Sequence, residues 1–217
     1  MQQITRFTLL DVATEALRDA ILNGEVKLGE RLNESAVAAK LEISRTTFRE
    51  ALRQLEQAGL LVRDPFKGTF VREFSEEEIR DLNNLRGVLE TYAAEIIIQN
   101  GSNRAEDLQP LYDIASHMEG IDPEADAAQT NNLHIEFHRT LLSLAGNKLL
   151  FTVGDGLAQQ FWMAMRVSQL EFISKGDSDN FSEAHREVVD AIVTGDIDHV
   201  RKIIRKHVSH TFAPPKK

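Results

Sequence analysis

Four histidines, His134, His138, His185 and His207, are the residues of this sequence best placed to do chemistry. His134 and His138 stand four residues apart, so on a helix their imidazoles leave the same face and can converge on one ion. They share that face with Phe137 and Leu141, while His185 shares its stripe with Val188, Val189 and Ile192, and His207 with Val200, Ile203 and Ile204. All four therefore point into the interior of a helical domain. A single inward histidine is ordinarily a hydrogen-bonded core residue. Four on three apolar stripes would be a costly set of buried polar groups without a common partner, which a borderline-soft divalent cation supplies. The pattern by itself leaves core packing and metal binding both open. His199 shares its face with Lys202 and Lys206 and belongs to solvent. With no cysteine in the chain, any metal site must rest on imidazole and carboxylate.

A second constellation lies near the N-terminus, in Ser44-Arg45-Thr46-Thr47-Phe48-Arg49. Arginine bonds guanine through two parallel hydrogen bonds, hydroxyls reach phosphates or bases, and a helix N-terminus attracts anions. Phe48, Ala51, Leu52 and Leu55 follow the spacing of a core stripe, whereas Arg45, Arg49 and Arg53 recur every four residues on another face. Lys67 and Gly68 sit at the tip of a predicted hairpin, where the lysine can reach a minor groove or the DNA backbone.

These residues need elements to position them. Helical spacing from Leu10 to Leu22, with Thr8 and Asp11 as a capping box, predicts a first helix that ends at Asn23-Gly24. A short second helix runs from the cap candidate Asn33 to Leu41, and a third from Ser44 to near Gly59. Only Glu42 and Ile43 separate them, a helix-turn-helix spacing without the glycine often found in that turn. Leu60 to Arg63 and Thr69 to Arg72 read as the strands of a wing around Asp64-Pro65-Phe66-Lys67-Gly68. From Ser75 onward only helical patterns appear, at about 76–99, 104–118, 123–145, 148–173, 181–194 and 197–211. On the first of these, Ile79, Leu82, Leu89, Ala93 and Ile96 mark the apolar stripe. The chain is thus expected to be mainly α. A winged helix-turn-helix occupies residues 1–74 and an antiparallel helical bundle residues 75–217.

Charge divides along the same line. Residues 1–74 hold 11 basic and 11 acidic side chains, leaving 14 against 23 afterwards, so the whole net charge of −9 lies in the second part. Overall acidity therefore does not argue against nucleic acid, since the local field at a docking face governs DNA affinity. No stretch approaches the ~18–20 apolar residues of a membrane span, and a cytoplasmic protein is expected.

The run Gly29 to Glu34, then Ile43 to Leu52, then Leu55-Glu56, Gly59-Leu60 and Gly68-Thr69-Phe70-Val71, resembles the DNA-binding domain of the GntR family of bacterial regulators over nearly all of residues 10–72. The helical remainder is similar to the FCD effector domain of the FadR-type subgroup. The resemblance implies contacts to double-stranded operator DNA from Arg45, Thr46, Thr47 and Arg49 and from the wing around Gly68. It also implies a homodimer. Many members carry Pro where this chain has Thr47, a difference that bears on operator sequence. For the second domain it implies a divalent metal held by His134, His138, His185 and His207, with His134 in place of the usual Asp. That exchange removes a negative charge and favours zinc or nickel. An octahedral site would keep two positions open for a small carboxylate effector, with Arg86 a candidate second contact, whereas a four-coordinate site would be closed and structural; an ion pair with Glu90 one turn on is the competing role for Arg86. A metallohydrolase is the enzyme alternative. However, in His134-Ile135-Glu136-Phe137-His138 the Glu lies two residues after the first His, where a zincin places its base directly after it. A helical protein-interaction module is the third reading.

Overall fold

Short polar side chains, hydroxyl, carboxamide or carboxylate, cap several of the points where this chain turns helical. The computed structural model describes residues 8–22, 24–121, 127–172 and 181–210. The chain divides into two compact units, Met1–Phe74 and Ser75–Lys217.

In the first unit, the Thr8 and Asp11 side chains each accept from the other's backbone N–H, at 3.1 and 2.8 Å, and open α1 (Leu9–Leu22). Asn33 caps α2 (Glu34–Lys40) by accepting from the Ala36 amide, and Ser44 caps α3 (Arg45–Gln57) by accepting from the Thr47 amide. α1 packs on α3, and the core gathers Ala13, Leu17 and Ile21 with Phe48, Ala51, Leu52 and Leu55, every one below 7% exposed. The turn between α2 and α3 has its left-handed residue at Glu42 (φ 54°), so a side chain stands where glycine is common. The hairpin pairs β1 (Leu61–Asp64) with β2 (Gly68–Val71), Leu61 opposite Val71 and Asp64 opposite Gly68, each strand one residue from its expected limits. Gly68 takes φ +103°, which the turn requires and a side chain resists. The segment before α2 lines the free edge of β2: Leu32 donates to the Thr69 carbonyl and Gly29 to that of Val71.

Among its described residues the second unit has helices as its only regular elements: α4 (Glu76–Gln99), α5 (Gln109–His117), α6 (Ala127–Leu144), α7 (Lys148–Phe172), α8 (Phe181–Thr194) and α9 (Ile197–His210). Ser75 and Glu78 form a complete capping box at the start of α4. α5 begins later than the spacing from 104 suggests, because Pro110 lacks an amide and crowds the preceding turn. The first residues of the expected 123–145 helix, and the last of the 148–173 and 197–211 helices, lie outside the described residues.

α4 packs against α6, α7 and α9 and so runs through the middle of the unit. Its buried face is rotated by one residue from the apolar stripe expected. Ile79, Asn83, Arg86, Glu90, Ala93 and Ile97 are buried, while Leu82, Leu89 and Ile96 are only partly so. The polar members of this face have partners: Asn83 donates to the Val208 carbonyl, and Arg86 faces Glu90. Gly87 lets α9 approach, since a Cβ there would sit 3.2 Å from the Val208 side chain. On the far side of the same helix Leu85, Val88 and Tyr92 are 45%, 63% and 49% exposed. Among the described residues no helix is long and apolar enough to cross a membrane.

Candidate functional site

Three helices bring the histidines together. α6 contributes His134 and His138, α8 contributes His185 and α9 contributes His207. One ligand atom from each lies within 4.8 Å of the others, and all four residues are buried. The apolar neighbours expected on each stripe, Phe137, Leu141, Val188, Val189, Ile192, Val200 and Ile204, form the surrounding core. Around one ion with metal–nitrogen bonds of about 2.1 Å, two ligands are at most about 4.2 Å apart. Small side-chain adjustments would let this set meet on a single cation.

The electrostatics suit such a role. Burial holds the His134 imidazole well below its ordinary range, reinforced by His185, His138, Arg86 and His207; burial and then Arg86 do the same at His138. Both rings are thus neutral near pH 7, the protonation state that can donate a lone pair to a metal. His138 Nδ1 lies 2.9 Å from Glu90 Oε1 on α4, a carboxylate–histidine contact of the kind that orients metal-bound imidazoles. Burial pushes the Glu90 carboxyl up to about 7, with Arg86 and His185 drawing it back. The Arg86 Nε lies 3.4 Å from the same oxygen, and its guanidinium is stacked 4.4 Å from the Phe161 ring centre. Arg86 is therefore beside the histidine cluster and in contact with Glu90 at the same time.

The sequence pairs Glu90 with Arg86 but gives no sign of its contact with His138. The available signal is the stripe Asn83, Arg86, Glu90, polar residues at helical spacing flanked by Ile79, Ala93 and Ile97. His199 is exposed.

In the first unit, Ser44, Arg45, Thr46 and Arg49 are exposed and Thr47 half-buried at the N-terminal end of α3. Ser44 Oγ and Thr47 Oγ1 are 2.8 Å apart and share a hydrogen bond, so both hydroxyls are fixed at the helix start. Arg49 makes only a loose 3.9 Å approach to Glu34, and its side chain is 72% exposed. Lys67 is exposed at the wing tip and Gly68 half-buried behind it. Glu34, which the sequence offers only as the end of a family-like run, joins the two elements: its carboxylate accepts from Thr69 Oγ1 on β2 at 3.3 Å and faces Arg49 on α3. The base of the wing and the basic face of α3 are therefore adjacent.

Comparison with known proteins agrees with this anatomy. Residues 10–71 match the family described as bacterial regulatory proteins, gntR family, and residues 81–210 match the FCD domain. A protein of Paenarthrobacter nicotinovorans named as a probable D-xylose utilization operon transcriptional repressor is 27% identical, over 96% of this chain and 89% of its own length. The gluconate operon transcriptional repressor of Bacillus licheniformis is 24% identical, over 88% of this chain and 78% of its own. The solved structure titled E. coli McbR/YncC superposes with a TM-score of 0.76 at 19% identity, covering 94% of this chain and 95% of that one, and so shares the fold. The chain belongs to the GntR family of bacterial transcriptional regulators, with a winged helix-turn-helix followed by an FCD domain.

Proposed function

We propose that the protein is a cytoplasmic, homodimeric operator-binding regulator whose second domain, residues 75–217, holds a divalent metal and answers to a small carboxylate. The observation that carries the metal is the convergence of four buried imidazoles, from three helices, within 4.8 Å. His134, His138, His185 and His207 are its ligands, and an all-nitrogen donor set favours zinc or nickel over a hard cation. A metal with open positions accepts a carboxylate oxygen directly. Arg86 lies close enough to the cluster to meet the ligand's second oxygen, although its contact with Glu90 equally supports a role as the counter-charge of that buried acid.

On the DNA side, Arg45 and Arg49 read base edges, Ser44, Thr46 and Thr47 hold phosphate or base, and Lys67 and Gly68 bring the wing to the backbone. One such unit reads a short half-site, so a two-fold pair on a palindrome is the natural assembly. The exposed Leu85, Val88 and Tyr92 stripe of α4 offers an apolar face for that pairing. An enzymatic role is disfavoured by the relatives' names, which are those of regulators, and by the position of Glu136. Metal analysis of the purified chain tests the ion: about one zinc or nickel per chain is expected, with occupancy lowered in His185→Ala and His207→Ala. Stoichiometric metal retained in both variants would refute the ligand set.

A further inference from the structure

Phe66 forms the apex of the wing and is 98% exposed, more than any other large apolar side chain among the described residues. Scattered exposed hydrophobes are ordinary. This one is presented on a rigid mount. Asp64 Oδ1 accepts from the Phe66 amide at 2.8 Å and from the Lys67 amide at 2.9 Å, fixing the turn from within. Below it the ladder closes at Asp64 opposite Gly68, and an isolated bridge from Arg31 to Phe70 lines the other edge of β2. The wing is thus braced on both sides of β2, where a lone two-stranded ribbon would be marginal.

The apex has a cationic collar. Arg63 and Lys67 are exposed, and the Arg31 guanidinium reaches Gly68, its Nε 3.2 Å from where a Cβ would stand. The acid within the turn, Asp64, is engaged by two turn amides. Through Glu34, the wing base adjoins the basic face of α3. An exposed aromatic ring on a turn flanked by cationic side chains, on a wing whose base adjoins a basic helix face, fits a duplex, with phosphates on the cations and the ring in the minor groove.

We propose that Phe66 is an apolar wedge that enters the operator minor groove beside the half-site read by α3 and partly unstacks a base step there. The inference rests on the DNA-binding reading and adds a distinct mode, since a wedge contributes by stacking and deformation whereas Lys67 and the arginines contribute by charge.

The test uses the full chain and a duplex that this chain itself enriches from a randomised library. 2-Aminopurine, whose emission rises on unstacking, is placed at successive steps flanking the half-site. The wild-type complex should brighten at one wing-side step. Phe66→Ala should bind about tenfold more weakly, within the range for loss of an aromatic stacking contact, and lose the signal without changing the salt dependence. Phe66→Leu should keep most of both. Lys67→Ala should keep the signal but reduce the salt slope by about one. Phe66→Ala binding within twofold of wild type, or a wild-type complex with no brightened step, would overturn the wedge while leaving operator binding intact. Failure to enrich any duplex would overturn the DNA reading itself, and the wedge with it.

Discussion

Removing one ligand from the histidine cluster should erase most of the stability that a bound metal confers. The ligands come from α6, α8 and α9, so an ion held by all four ties three helices together and binds the native state alone. At free metal about a thousand times Kd, linkage raises stability by about 4 kcal/mol. Structural zinc contributes about 10–16 kcal/mol in small four-ligand sites, or about 3 kcal/mol per ligand. Loss of one imidazole therefore weakens binding about 100-fold. At the same metal concentration the gain falls to about 1.4 kcal/mol. For a domain of this size each kcal/mol moves Tm by about 4 °C, so a wild-type rise of roughly 16 °C should shrink to about 6 °C in His185→Ala or His207→Ala. Trp162, the sole tryptophan, lies within α7, so its fluorescence follows the second unit alone. Each variant is compared with its own chelator-treated form, which cancels the packing lost with the side chain. Equal metal-induced shifts in wild type and both variants would show that the four imidazoles are core residues and that the metal, if bound, sits elsewhere.

Three other outcomes follow from the structure. Arg45→Ala and Arg49→Ala should each lose about 1–3 kcal/mol of operator affinity and relax base preference, which quantitative mobility shifts at fixed salt measure; unchanged affinity in both would remove α3 as the reading helix. Glu42→Gly relieves the left-handed residue at φ 54° and should stabilise the first unit by up to about 1 kcal/mol, the remainder lost to unfolded-chain entropy, while Glu42→Val should destabilise it. Slowed and hastened amide exchange in α2 and α3, respectively, would report this. Val88→Asp lies on an exposed position, so the fold should be little changed, yet light scattering should show the dimer converted to monomer; a persisting dimer would place the interface on another face.

What could be read from the sequence was local. The two stripes of α3, the Thr8–Asp11 capping box, the Asn33 cap and the wing turn all follow from spacing within a few residues, and the structure contains each. The burial of each histidine beside its own apolar neighbours was legible in the same way. Periodicity failed where polar groups take core positions. On α4 it selected Leu82, Leu89 and Ile96, because the spacing of Arg86 and Glu90 shows their pairing but nothing local shows the inward partners that draw them and Asn83 into the core. Those partners are remote in sequence: Val208 for Asn83, Phe161 for Arg86, His138 for Glu90. The same holds for Glu34, whose links to Thr69 and Arg49 join three elements and cannot be inferred from any one of them. The missing turn glycine was visible, but only the backbone reveals Glu42 as the residue that bears the strain.

On the proposed reading, α4 is the element through which a ligand at the cluster would reach the DNA-binding unit. Its inner face carries Arg86 and Glu90 against the histidines, and its outer face, about 200° round the helix, carries Val88 together with Leu85 and Tyr92. Ser75, its capping residue, directly follows Phe74, where the first unit ends. A carboxylate that engages Arg86 competes with Glu90 for the guanidinium and so changes what holds the inner face in place. A rotation of only about 20° would carry the outer side chains about 2 Å, given a helix radius of about 5–6 Å. Displacements of that size at subunit interfaces are enough to repack them. On the proposed reading, the effector acts only so far as it binds the two α4 positions with different affinity, and couplings of about 1–3 kcal/mol are the usual range. Reciprocity then requires operator DNA to alter effector affinity by the same factor. A chain that bound both tightly but independently would contain the site and the reading head without being a switch.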